Sequence, residues 1–256
     1  MHKLFHSTAV LALLVTSIAA NAADLRVKAP PPPAPMPPPF SWSGFYIGGN
    51  IGGAWVHRNV TDSLFGLNFD GGNNNNAVFI GGGQTGFNYQ ISNFVIGVEG
   101  NFDWAANNNN TGNGIVIPAV GTFRVTANDR WIATVAARFG VAYDRVLFYG
   151  KAGGGWVGAD NFTVTNVTTG ASFTGSNNTT ESGWLVGAGL EWAFTDNWSA
   201  KFEYDFLGLT SRTFTVPVGS PFLVGDTFST GSHNVQMATV GINYRFNWGG
   251  LGGTRY

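Results

Sequence analysis

Residues 197–207 read NWSAKFEYDFL. Trp198, Ala200, Phe202, Tyr204 and Phe206 share one parity, and Lys201, Glu203 and Asp205 share the other. A period of two belongs to a β-strand whose two faces meet different surroundings. In a soluble sandwich or a lipocalin-like barrel, the ring-bearing face would line the core and the charges would meet water. In a membrane-spanning barrel the sense is inverted, with rings toward lipid and charges toward the lumen.

The same division recurs along the chain. Phe94, Ile96, Val98, Phe102 and Trp104 stand against Glu99, Asn101 and Asp103. Trp131, Ala133, Val135, Ala137, Phe139, Val141 and Tyr143 stand against Arg138, and Trp184, Val186, Ala188, Leu190 and Trp192 against Glu181 and Glu191. Lys151 and Arg245 also fall on charged rows; segment 77–90 is the weak case, with Ile80 on its otherwise polar row. The expected lumen network is therefore Glu99, Asp103, Arg138, Lys151, Glu191, Lys201, Glu203, Asp205 and Arg245.

Ring placement separates the two environments. Phe45 and Trp55, Phe94 and Trp104, Trp131 and Tyr143, Trp184 and Trp192, and Trp198 and Phe206 mark the ends of apolar rows. Amphipathic rings belong at both edges of a hydrocarbon slab, in girdles about 25 Å apart, whereas a soluble core puts its largest rings at mid-strand. Eight alternating segments are expected, near 44–56, 77–90, 94–105, 130–143, 146–158, 181–193, 197–207 and 234–247. Connections near 57–76, 106–129, 159–180 and 208–233 are long and polar, whereas those at 91–93, 144–145 and 194–196 are short. Long and short alternate, so a meander places all long loops at one end, as outer-membrane barrels do. The expected fold class is all-β: an eight-stranded antiparallel up-and-down transmembrane β-barrel.

The opening segment, GFYIGGNIGGAW at 44–55, is both apolar and glycine-rich. Glycine weakens a strand interior. In a small closed barrel it permits sharp coiling and leaves room for long inward side chains such as Arg138, Lys151 and Glu203.

Of the 256 residues only 11% are charged, the net charge is −1 and there is no cysteine. Nothing in that balance attracts nucleic acid, and a disulfide framework or a thiolate metal site is excluded. His2 and Lys3, the apolar run from Ala9 to Ala20 and the small residues Ala20-Asn21-Ala22 have the layout of an export signal. In KAPPPPAPMPPPF, 28–40, eight of thirteen residues are proline, which reads as an extended spacer. The expected organisation is signal 1–22, periplasmic spacer 23–43, barrel 44–248 and a short tail 249–256.

Chemical sites are few. Gly81, Gly83 and Gly86, and Gly153, Gly155 and Gly158, fit a dinucleotide motif by spacing, but neither set opens a helix. His57 follows the first strand and His233 precedes the last, so closure brings both to the outer rim. They are weak candidates for capturing haem or a metal ion; two solvated loop histidines is the plainer reading. Ser232 beside His233, with Asp226, is a remote hydrolase arrangement. No catalytic residue and no cofactor is expected.

WSGFYIGGNIGGAW (42–55) and VGINYRF (240–246) resemble the porin-like outer-membrane immunogenic proteins of alpha-proteobacteria. These are similar to the transmembrane domain of OmpA and to the opacity proteins. The resemblance covers the signal, the spacer and the whole barrel. It implies a non-catalytic protein of the bacterial outer membrane whose partners are outer-membrane lipid, the barrel-assembly machinery and, through the long loops, extracellular ligands or host molecules. It also implies an assembly signal in the last strand, carried by Tyr244 and Phe246, with Trp248 and Tyr256 as alternatives. A structural, surface-displaying role, a small-solute pore and ligand capture at the rim all stay open at this point, as does a soluble secreted β-protein.

Overall fold

The computed structural model describes residues 40–57, 59–62, 68–70, 77–106, 110–111, 115–117, 121–127, 129–159, 162–175, 179–215, 227–230 and 233–246. The expected signal at 1–22, most of the proline-rich stretch, residues 247–256 with the expected tail, and Asp226 and Ser232 lie outside these residues.

Eight long strands form the body: β1 (Gly44–His57), β2 (Val78–Ile91), β3 (Phe94–Ala105), β4 (Asp129–Tyr143), β5 (Val146–Ala159), β6 (Thr179–Ala193), β7 (Trp198–Leu209) and β8 (His233–Phe246). Each pairs antiparallel with its neighbours in sequence, and β8 pairs with β1 to close the cylinder. The seam is continuous from Phe45 opposite Phe246 to His57 opposite Asn234. A closed sheet has no edge, so the strands satisfy one another's backbone groups where no water is present. Two tight turns begin with residues in the left-handed region, Ser92 (φ 56°) and Asp144 (φ 50°), a conformation the short polar Asp tolerates well.

Parity divides inside from outside. Phe94, Trp104, Phe139 and Tyr143 are each more than 60% exposed, while Glu99, Arg138, Lys151 and Glu203 are each 4% exposed or less. Rings outward with charges inward is the inverse of a soluble core, and it removes the soluble alternative. The dinucleotide-like glycines lie within β2 and β5.

The long connections, polar in sequence, also carry short strands. Short strands at 59–62, 68–70, 212–215 and 227–230 join the first and last connections in one small sheet. Those at 110–111, 115–117, 121–127, 162–166 and 172–175 join the middle two in another. Alternating runs such as TFRVTA and FTVTN have β propensity, but their partners lie in other connections.

Glycine is matched to long inward side chains across the strands. Tyr46 stands opposite Gly86 and Tyr149 opposite Gly189. A Cβ on either glycine would strike the phenol it faces. Two outward glycines have no such neighbour: a Cβ would find nothing nearer than 3.5 Å at Gly81 or 3.8 Å at Gly100. Gly86→Ala and Gly189→Ala are therefore expected to destabilise the barrel by about 1–3 kcal/mol through overpacking. Gly81→Ala and Gly100→Ala should stay within about 0.5 kcal/mol of the parent. Urea midpoints, read from the folded band on unboiled gels, check both.

Candidate functional site

Side chains that point inward form three layers. At the turn end Trp42, Val95, Ala142, Leu147, Tyr149 and Ala193 pack together, with Phe40 against them. At the loop end a larger apolar cluster gathers Ile80, Ile132, Val157, Leu185, Leu207 and Val235, among others. Between the two apolar layers lies a belt of ions.

Glu99 is the hub of the belt. Its Oε2 lies 3.3 Å from Nη1 of Arg138, and its Oε1 lies 3.2 Å from Nζ of Lys201 and 3.6 Å from Nζ of Lys151. The Tyr46 hydroxyl donates to Glu99 at 2.7 Å and accepts from Arg138 at 2.5 Å. Arg138 turns its other amino group to Glu191 at 2.9 Å, and its guanidinium lies 3.8 Å from the centre of the Tyr149 ring. Lys151 bonds Glu203 at 2.6 Å and Asp205 at 2.8 Å, while Tyr149 donates to Glu203 at 2.7 Å. Ser199 and Asn243 both donate to Glu191, and Asn243 accepts from Gln84, which in turn accepts from Asn50. These charges are out of water, and such burial is tolerable only where each ion is paired and hydrogen-bonded.

Of the nine charged residues grouped by parity, seven meet in ion pairs within this belt: Glu99, Arg138, Lys151, Glu191, Lys201, Glu203 and Asp205. Asp103 is buried beside the backbone of Gly82. Arg245 stands apart at the turn end, where it donates to the carbonyl of Asp196 at 2.7 Å and lies over Phe40 and Trp42. The network expected from the sequence lacks Tyr46, Tyr149, Gln84, Ser199 and Asn243; Tyr149, Ser199 and Asn243 share the parity of Lys151, Lys201 and Arg245, whereas Tyr46 and Gln84 lie on strands without Asp, Glu, Lys or Arg. Ile80, the odd residue of segment 77–90, is fully buried in the loop-end cluster. That inner level is apolar on the neighbouring strands too, which explains the residue.

The histidine reading is corrected. His57 is exposed, whereas His233 is 2% exposed and its Nε2 lies 2.6 Å from Oε2 of Glu181. His233 is not solvated, and parity sends the two rings to opposite faces of the wall, so one ion cannot bridge them. Among the described residues no His, Asp and Glu side chains group in a way that could hold a metal ion.

On the outer face Phe45, Phe94, Tyr143, Trp192 and Trp198 lie toward the turn end, and Trp55, Trp104, Trp131, Trp184 and Phe206 toward the loop end. Several touch: Trp131 stacks on Phe102 at 5.8 Å, and Trp184 lies 5.4 Å from Phe206. Tyr244 and Phe246 meet edge-on at 5.0 Å beside Trp198 and Phe45.

Removing one partner of a buried pair strands the other, at a cost of about 3–5 kcal/mol, while an exposed pair is worth under about 1 kcal/mol. Arg138→Met is therefore expected to lower the urea midpoint by the larger amount. Asp196→Asn, which breaks the exposed Arg145–Asp196 pair at a turn, should barely move it.

Several known proteins are similar to this chain. The family model described as outer membrane protein beta-barrel domain matches residues 8–246. The 31 kDa outer-membrane immunogenic protein of Brucella melitensis is 32% identical over 251 residues, spanning 93% of this chain and 97% of that protein. The 25 kDa outer-membrane immunogenic protein of Brucella canis is 28% identical over 239 residues, spanning 92% and 94%. The solved structure of the outer membrane protein OprG from Pseudomonas aeruginosa matches with a TM-score of 0.44 at 14% identity, covering 80% of this chain and 97% of that one. With a closed barrel that turns its rings outward and a family match along nearly its whole length, the chain belongs to the outer membrane protein beta-barrel domain family and resides in the bacterial outer membrane.

Proposed function

We propose that this protein is a structural and surface-displaying component of the outer membrane, with a sealed interior and no catalytic role. The observation that carries this reading is the layered interior, an ionic belt capped by apolar clusters at both ends. An eight-stranded cylinder has space only for its own side chains, and here those side chains are tied to one another. A solute would have to break several buried ion pairs and displace two packed layers.

The functional surface is then the loop end, where four long connections converge in two small sheets. Those segments are rich in Thr, Asn and Ser and offer hydrogen-bonding groups to extracellular ligands or host molecules. The turn end faces the periplasm, following the short-turn rule of outer-membrane barrels. The lipid-facing partner is outer-membrane lipid. Tyr244 and Phe246, paired on the last strand, are the residues that the barrel-assembly machinery would read.

Purified protein in planar bilayers is expected to give no stable ionic conductance. Steady, reproducible channel currents from the folded protein would overturn the sealed-interior reading and favour a small-solute pore.

A further inference from the structure

Sequence grouping puts Ser41, Trp42 and Ser43 in the spacer, yet Trp42 is 1% exposed, more buried than any other described tryptophan. Its backbone N–H donates to Oε1 of Gln90 at 2.7 Å, and its indole N–H donates to the carbonyl of Asp144 at 3.1 Å. The Ser43 hydroxyl accepts from the N–H of Gln90 at 2.9 Å. Phe40 packs edge-on against Trp42, with ring centroids 5.2 Å apart. The Arg245 guanidinium lies 4.4 Å from the Phe40 ring centre and 5.1 Å from that of Trp42, and Arg145 lies 4.8 Å from Phe40. Asp196 joins the two arginines, pairing with Arg145 at 2.6 Å and offering its carbonyl to Arg245.

A short segment ahead of the first strand is thus fastened to Gln90 beside the first tight turn, to Asp144 and Arg145 of the second and to Arg245 of the last strand, and through the two arginines to Asp196 of the third. Gln90 and Asp144 are 48 and 102 positions away from Trp42 in sequence, and Arg245 sits on β8. Arg245 meets this segment only once β8 has joined β1. We propose that residues 40–43 are an aromatic strap that docks on the closed barrel and stops its turn-end mouth, keeping water from the ionic belt. Cation–π stacking suits this place, because a guanidinium can leave part of its hydration for a ring face while still donating to a carbonyl. The strap deepens the sealed-interior reading, and its test is separable from that one: conductance needs passage through both ends, whereas thiol labelling reads the turn end alone.

The chain has no cysteine, so Ser199→Cys supplies a single thiol. Ser199 is 4% exposed and stands opposite Ala193, a member of the cluster that Trp42 completes. The folded protein in detergent micelles would be treated with a charged methanethiosulfonate reagent. Adding Trp42→Ala is expected to speed labelling roughly tenfold or more, as local opening of a closed mouth does, while the unboiled gel still shows the folded band. A short glycine insertion between Ser43 and Gly44 keeps every side chain but shifts the strap off its partners, and should do the same. Unchanged labelling in a folded variant overturns the proposal. So does failure of both variants to reach the folded form, because the strap is held to dock after closure.

Discussion

Hydrocarbon offers a peptide group nothing to bond with, and closure of the sheet is how this chain meets that constraint. The seam from Phe45 opposite Phe246 to His57 opposite Asn234 leaves the cylinder without an edge. Once closed, each strand has one face in lipid and one in a space that side chains alone fill. The outward face must be apolar where it meets lipid, so a charge at that height is directed inward. There it survives only among opposite charges and hydrogen-bond donors. Glu99, within reach of Arg138, Lys151 and Lys201, is the clearest instance.

The ions do not fill the interior from end to end. Most are gathered at one level, with aliphatic side chains above and Trp42, Leu147 and Tyr149 below, while Arg245 at the turn end and Glu181 beside His233 at the loop end stand outside it. Apolar layers exclude water from the belt and so strengthen its pairings, and the belt in turn ties together strands distant in sequence. Ser199 and Asn243 on Glu191, and Tyr149 on Glu203, extend that tie to β7, β8 and β5. In the function proposed above, the wall supplies persistence in the membrane and the polar connections supply whatever contact is made outside it.

The wall was legible in the sequence because lipid imposes one requirement along the whole height of every strand. Trp198, Phe202 and Phe206 against Lys201, Glu203 and Asp205 already state it. The interior was less legible because parity gives the side of the wall and not the level along it. Ile80 looked anomalous beside polar neighbours, yet it belongs to an apolar level assembled from other strands. His233 looked like a loop residue; its parity turns it inward to Glu181. Trp42 precedes any alternation, so no periodic signal marked it, and its partners at 90, 144 and 245 are set by closure rather than by neighbouring sequence. Tyr149 was within reach of the sequence, since it shares the parity of Lys151 and stands opposite a glycine, whereas Tyr46 lies on a strand with no Asp, Glu, Lys or Arg to mark its role.

The most direct measurement asks what touches the outer face. A single cysteine at Val240, which is 50% exposed on the outward row of β8, can carry an environment-sensitive fluorophore in reconstituted vesicles. Lipids bearing nitroxide groups along their acyl chains should quench it strongly, and aqueous iodide should leave it unaffected. Strong quenching by iodide with none from the lipid nitroxides would contradict an apolar face in contact with lipid.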